Sequence, residues 1–253
     1  MGETLMPKDI FMFGVQSANA TGRMATRRSA VDLGTVAAIL APTAHSPFRS
    51  GVSVTYNPLV PLDTPVLRQP APAVAPSEFG TAQFLQQVAE LHRAFDHFFE
   101  ERTGVGLAAP QIGWASRVLV AQDFDPGPKS PAWAGELGRR AFDRLLMCNP
   151  VVVARNGRHV CWESCLSQPD VFGMVARSTR VRVRYQDEHG TPRELEATGY
   201  KARILQHEIN HLDGCLCSSR YVPGTTLPIE EYSARWRKAS LSDALAAFGL
   251  PSP

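Results

Sequence analysis

An α+β fold, with antiparallel and mixed β-sheets gathered around a central helix, is what this 253-residue sequence predicts. Three observations lead there: an H-E-x-x-H inside QHEINHLDG (206–214), several short β-patterned runs upstream of it, and one long amphipathic helix before those runs. If 206–214 is helical, His207 and His211 stand one turn apart on the same face, near enough to share an ion. Glu208 then lies to the side of that face, placed to handle a water proton instead of binding metal. Leu205, Ile209 and Leu212 give the helix an apolar side, and Gly214 suits its end.

Composition frames the fold without choosing a function. With 44% hydrophobic residues the chain can bury one sizeable core. There is no internal repeat and no run of 18 apolar residues, so no transmembrane helix and no membrane partner are expected. A net charge of +2 is too small to argue for direct nucleic-acid binding. The five cysteines, Cys148, Cys161, Cys165, Cys215 and Cys217, lack the spacing of a disulfide framework. They favour a reducing compartment in which a thiol can serve as a ligand.

Residues 1–56 carry few acids (Glu3, Asp9, Asp32) among Arg, Ser, Thr and Ala, the composition of an organellar transit segment, and are expected to be a partly disordered extension. The folded domain is expected over 57–222. It opens on DTPVLRQPAPAV (63–74), extended and irregular because of its prolines. Phe84, Val88, Leu91, Phe95 and Phe98 then recur every three or four residues, the core stripe of a helix ended by Thr103 and Gly104. GVGLAAPQIG (104–113) has small residues that let a backbone approach closely, but neither dinucleotide nor phosphate-loop spacing. Gln111 is the polar residue left in this apolar context, and if buried its amide needs a partner. RVLVAQ (117–122) and LLMCNPVVV (145–153) read as strands joined by a polar insert, 123–144. RVRVRYQDEHGTPRELEAT (180–198) reads as a hairpin turning near His189 and Gly190, with Arg180, Arg182 and Arg184 on its wet face. Residues 223–253 read as a helical tail.

Two features compete to complete a metal site with His207 and His211. Glu230 stands at a spacing used by His, His, Glu zinc peptidases, whereas Cys165 in WESCLSQP would add a thiolate, which suits Zn²⁺ or Fe²⁺ and leaves a fourth position for water. Spacing alone does not choose between them.

GVGLAAPQ, ESCLS and QHEINH, in this order, resemble the three signature motifs of the peptide deformylases; DTPVLRQPAPAV is similar to the opening segment of that family and LMCNP to its Asn-Pro strand. The resemblance covers roughly 57–222 and favours Cys165, leaving Glu230 as a surface residue that opens a C-terminal helix. It implies a peptide-deformylase-like fold and a metal-dependent hydrolase that removes the formyl group from N-formylmethionyl nascent polypeptides and releases formate. Cys165, His207 and His211 become the metal ligands and Glu208 the acid/base group. The Gln111 side chain and the Leu166 backbone N–H would stabilise the developing oxyanion. Gly106 would meet the substrate backbone, and Val105, Leu107 and Ile204 would border the methionine pocket. The implied cofactor is one divalent ion per chain, Fe²⁺ first, with Zn²⁺, Ni²⁺ or Co²⁺ able to occupy the same ligands. The implied partners are formylated nascent chains and, through them, the ribosome. Formylated starts belong to bacterial-type translation, so the extension and the long insert favour a mitochondrion or plastid over a bacterial cytoplasm. Three positions depart from the family pattern: Ser164 stands for Gly, Asn210 for Asp, and Gln168 for an apolar residue. If position 164 needs a positive φ, Ser164 would displace Cys165. The departures keep a second expectation open, a weakly active or non-catalytic relative that binds nascent chains.

Overall fold

The computed structural model describes residues 57–101, 104–125, 127 and 130–251; the expected transit segment at 1–56 and the expected helix stop at Thr103 lie outside them. The stripe from Phe84 to Phe98 forms helix α1 (Ala82–Glu100), started by the Thr81 side chain accepting from the Phe84 N–H. Strands β1 (Gly106–Ala108) and β2 (Val118–Asp123) follow, separated by a short 3-10 turn at Ala109–Ile112. The expected polar insert contains helix α2 (Ala132–Glu136), whose Trp133 and Ala134 are buried. Beyond it runs the long strand β3 (Phe142–Asn156). Strands β4 (His159–Cys165) and β5 (Gln168–Arg177) form a hairpin that sequence periodicity does not announce, because buried and half-buried residues follow one another without alternation. The expected hairpin is β6 (Arg180–Gln186) and β7 (Pro192–Thr198), and it leads into helix α3 (Gly199–Leu212). A two-residue strand β8 (Leu227–Pro228) and helices α4 (Ile229–Arg235) and α5 (Leu241–Ala247) complete the described chain.

The strands make two antiparallel sheets, one in the order β1-β2-β3-β6-β7 and one in the order β4-β5-β8. Strand β2 is buried on both faces, and its alternation assigns them: Val118 and Val120 join the core beneath α1, while Leu119 and Ala121 join the core against α3. On the α3 side, Val181, Val183 and Ala197 meet Leu205, Ile209 and Leu212 of the helix. The Arg row of β6 faces acids across the ladder: Arg180 pairs with Glu196 at 3.4 Å and Arg182 with Glu194 at 3.6 Å. These are exposed pairs on a solvated face and contribute little to stability.

The proline-rich segment straps this sandwich together. The Ala71 N–H donates to the carbonyl of Leu212 at the end of α3, and Pro72 accepts from the Arg117 N–H. Asn149, the only non-glycine at positive φ among the described residues, receives the Val74 N–H on Oδ1 and donates Nδ2 to the Val74 carbonyl. Arg117 in turn donates to the Leu212 carbonyl and pairs with Asp213 at 2.8 Å, which places a cation at the C-terminal end of the α3 dipole.

The tail is part of the same body. Tyr232 of α4 stacks on Phe172 of β5 with centroids 3.8 Å apart and accepts from Trp133 Nε1 at 2.9 Å. Trp236 and Phe248 close around Trp162 of β4, with Leu241 and Leu245 buried beside them. An aromatic layer drawn from the insert, the hairpin and the tail therefore backs the strand that carries Glu163 and Cys165.

Candidate metal centre

Helix α3 supplies a row of three side chains at spacings of four, Arg203, His207 and His211, which share one face of the helix. The end of β4 supplies the thiol. Cys165 Sγ lies 3.2 Å from His211 Nε2, and ligand atoms of Cys165, His207 and His211 all fall within 4.8 Å of one another. Bonds of about 2.0 Å to nitrogen and 2.3 Å to sulfur require such proximity around one ion. Glu230 sits exposed in the first turn of α4 and belongs to neither His/Cys/acid group found among the described residues, so the His, His, Glu alternative finds no geometry.

Behind the ligands lies a buried ionic layer. Glu163, two residues before Cys165, accepts from Arg177 through both oxygens, at 2.6 and 2.7 Å, and from Arg203 Nη1 at 2.5 Å. Its Oε2 also meets His207 Nδ1 at 3.1 Å and Cys217 Sγ at 3.4 Å. Holding Nδ1 in this way leaves Nε2 of His207 for an ion, the usual arrangement behind a metal-binding imidazole. Glu163, His207 and Cys217 form a second close trio. With its carboxylate already spent on two guanidiniums, this trio orients His207 and is a poor cation site of its own. Burial pushes the Glu163 carboxyl up, but Arg177 and Arg203 more than offset that and hold it well below the usual range. The Cys165 thiol is likewise pushed up by burial and pulled further down by His211 and His207, which favours the thiolate that a metal requires.

Glu208 is in the opposite situation. It is buried, its Oε2 has no hydrogen-bond partner in the structure, and burial raises its carboxyl above the ordinary value. Gly106 of β1 passes directly over it, and a Cβ there would collide with the Glu208 carboxylate. This close approach explains the glycine. Gln111 is buried too, and its Oε1 accepts from the Ala108 N–H at 2.9 Å. The amide is thereby fixed so that Nε2 donates to Ser167 Oγ at 3.1 Å and faces Cys165 Sγ at 3.9 Å. Leu166 occupies the β4–β5 turn immediately after Cys165.

The three side chains expected to border the methionine pocket divide between two cores. Val105 and Ile204 pack into the same core, the one between sheet and α3. Leu107 is fully buried in the other core, beneath α1 with Phe95 and Val120. Val105 lies just outside β1, in the bend that leads into Gly106–Ala108, so strand alternation does not govern its direction relative to Leu107.

Two of the three departures are absorbed locally. Ser164 is not at positive φ, so it imposes no left-handed strain beside Cys165. Asn210 Oδ1 accepts from Arg177 Nη1 at 2.7 Å, keeping an acceptor where the charge is lost. Gln168, the ladder partner of Cys165, has a buried Oε1 without a protein partner. Glu163, Arg177, Arg203 and Cys217 escaped the sequence reading. A lone acid inside the apolar run HVCWESC, and an Arg four residues before His207, are the signals that could have found Glu163 and Arg203.

The family model described as Polypeptide deformylase matches residues 56–226. A peptide deformylase of Thermus thermophilus is 46% identical over 123 residues, covering 47% of this chain and 62% of the relative. Peptide deformylase 1A, chloroplastic/mitochondrial, of Arabidopsis thaliana is 38% identical over 166 residues, 64% of this chain and 60% of the relative. The chain thus spans about three fifths of the length of these curated relatives. Among solved structures, the Met-Ala-Ser-bound class I type b peptide deformylase of Acinetobacter baumannii superposes with a TM-score of 0.56 at 30% identity, over 66% of this chain and 98% of that one. The Thermotoga maritima peptide deformylase gives 0.53 at 31% identity, over 65% and 97%.

Proposed function

Since the chain belongs to the polypeptide deformylase family, we propose that it removes the formyl group from N-formylmethionyl peptides, releasing formate and a free N-terminus. The observation that carries this reading is the convergence of Cys165, His207 and His211 on one point, with Glu208 beside them and its Oε2 unengaged.

Cys165, His207 and His211 would hold one divalent ion, which when bound supplies a Lewis acid and lowers the pKa of water at that place. A thiolate with two imidazoles suits Fe²⁺, our first assignment, and also Zn²⁺, Ni²⁺ or Co²⁺. Glu208 Oε2 takes the proton of the water whose oxygen adds to the formyl carbon, and hands it to the amine nitrogen as the C–N bond breaks. Gln111 Nε2 and the Leu166 N–H donate to the formyl oxygen as negative charge develops there. Gly106 lets the substrate backbone lie against β1, and Val105 and Ile204 border the methionine side chain. A buried, unpartnered carboxyl with a raised pKa is what a proton carrier near neutral pH requires. We assign this activity to residues 57–222, a leader role to 1–56 and a structural role to 223–253. The substrates would be formylated nascent chains at the ribosome. The Arabidopsis relative carries a chloroplastic/mitochondrial name, and with the composition of residues 1–56 it supports a mitochondrial or plastid location over a bacterial cytoplasm.

The test is anaerobic formate release from formyl-Met-Ala-Ser by protein loaded with Fe²⁺. Glu208→Gln should keep its metal and lose about 10²–10⁴-fold in kcat. Metal-loaded wild type that releases no formate would leave the non-catalytic relative as the better description.

A further inference from the structure

We propose that Arg203 is a positioning residue for the metal centre, acting through Glu163 to aim His207. The inference rests on the reading of Cys165, His207 and His211 as metal ligands. It follows from how one buried guanidinium is spent. Arg203 lies one turn before His207 in the row that continues to His211, on the helix face turned to the β4–β5 hairpin. Its Nη1 donates to Glu163 Oε1 at 2.5 Å and to the Val175 carbonyl at 3.1 Å, and its Nη2 donates to the His159 carbonyl at 2.9 Å. The first turns of α3 are therefore tied to β4 at two places and to β5 at a third. Glu163 is at once the acceptor for His207 Nδ1 and the strand neighbour of Cys165. Arg203 thus grips, on one strand, the carboxylate that aims the helix's imidazole and the segment that presents the thiol.

Electrostatics makes the proposal directional. A buried guanidinium needs an anionic partner, and Arg203 finds it in Glu163, a carboxylate that it shares with Arg177. Arg177 alone already reaches both oxygens of Glu163, so Arg203 is not needed merely to keep that carboxylate company. Its distinct contribution is to bind the same carboxylate from the helix that carries His207. Remove Arg203 and the helix is free to shift relative to β4. Remove Glu163 instead, and Arg203 keeps its two carbonyl partners but loses its anionic one.

The experiment is a double-mutant cycle on Co²⁺ affinity in the full-length protein, measured by chelator competition and by the thiolate-to-cobalt charge-transfer band. Arg203→Met should weaken Co²⁺ binding about 10- to 100-fold, as losing a partner behind a metal ligand does. Arg203→Lys, which keeps the charge but not the fork, should fall between wild type and Arg203→Met. In a Glu163→Gln background the same Arg203→Met change should leave affinity within about 3-fold, or tighten it, because partners in one network do not add. Equal losses in both backgrounds, or none in either, would overturn the proposal and leave Arg203 a packing residue. Should Arg203→Met fail to fold, Arg203→Lys in both backgrounds makes the same comparison. Wild type lacking the cobalt–thiolate band would instead overturn the reading of the site itself, and this inference with it.

Discussion

Two buried carboxylates share this site, and their surroundings push them in opposite directions. Glu163 is met by two guanidiniums and an imidazole and is held ionised; Glu208 has an oxygen with no partner and is pushed toward its neutral form by burial. Divergent environments of this kind separate an orienting acid from a proton carrier. The Glu163 direction carries a pH dependence. An unfolded Glu titrates near about 4.3. Because the folded value lies well below that, the ionic layer stabilises the fold fully above about pH 4.3 and loses this contribution as pH falls through the folded value. Urea unfolding of metal-free protein should show a stability drop below that pH, and Glu163→Gln should remove part of it. Identical acid profiles for the two proteins would contradict the assignment. At this scale the sequence showed Cys165, His207, Glu208, His211 and Gln111, because each sits in a short motif. It hid Arg177 and Arg203, and it displayed Glu163 in ESCLS without a role, because their meaning comes from partners 14 and 40 residues apart.

Helix α3 works because its middle and its C-terminal end are both held. Gln206 Nε2 donates to the Ser178 carbonyl while its Oε1 accepts the Ser178 N–H, so this side chain pairs with a backbone as a strand would. At the C-terminal end Arg117 bonds the last carbonyl, and the chain turns away at Gly214, whose φ is +72°. A Cβ at 214 would come within 2.7–2.9 Å of the Arg68 and Gln69 backbone, so the glycine answers both a left-handed turn and a close approach. Gly214→Ala should therefore cost more than the left-handed penalty alone, about 1–2 kcal/mol, with the clash added. Denaturant unfolding would measure it, and a loss under about 0.5 kcal/mol, the range of an ordinary surface change, would refute the packing. This helix was legible from its H-E-x-x-H motif and its glycine stop. The β4–β5 hairpin was not, since the aromatic layer covers one side of it and α3 the other, which erases the alternation a half-exposed strand displays.

Across the whole molecule, α3 is clamped between a five-stranded sheet and the hairpin, and the hairpin is backed by segments from far along the chain. Tyr232 is the keystone of that backing, nearly fully buried against Phe172 and Trp133. Tyr232→Ala should destabilise the protein by about 3–5 kcal/mol, and Tyr232→Phe, which loses only the hydroxyl's bond, by about 1 kcal/mol. Thermal or denaturant unfolding of the two variants checks this, and an alanine variant as stable as wild type would detach the tail from the fold. By itself the sequence determined what is local: the helix periodicity of residues 84–98 and 206–211, the β6–β7 hairpin, the metal-competent residue types, and the family to which three ordered motifs belong. Only the tertiary structure decided that Glu163 ties His207 to Arg177 and Arg203, that Leu107 is buried beneath α1, and that the insert and tail reinforce β4. The reason is the range of the interactions. Backbone hydrogen bonds and side-chain periodicity act over a few residues and are written in spacing, whereas an ion pair or a packed ring is chosen by whichever distant segment the completed fold brings within bonding reach.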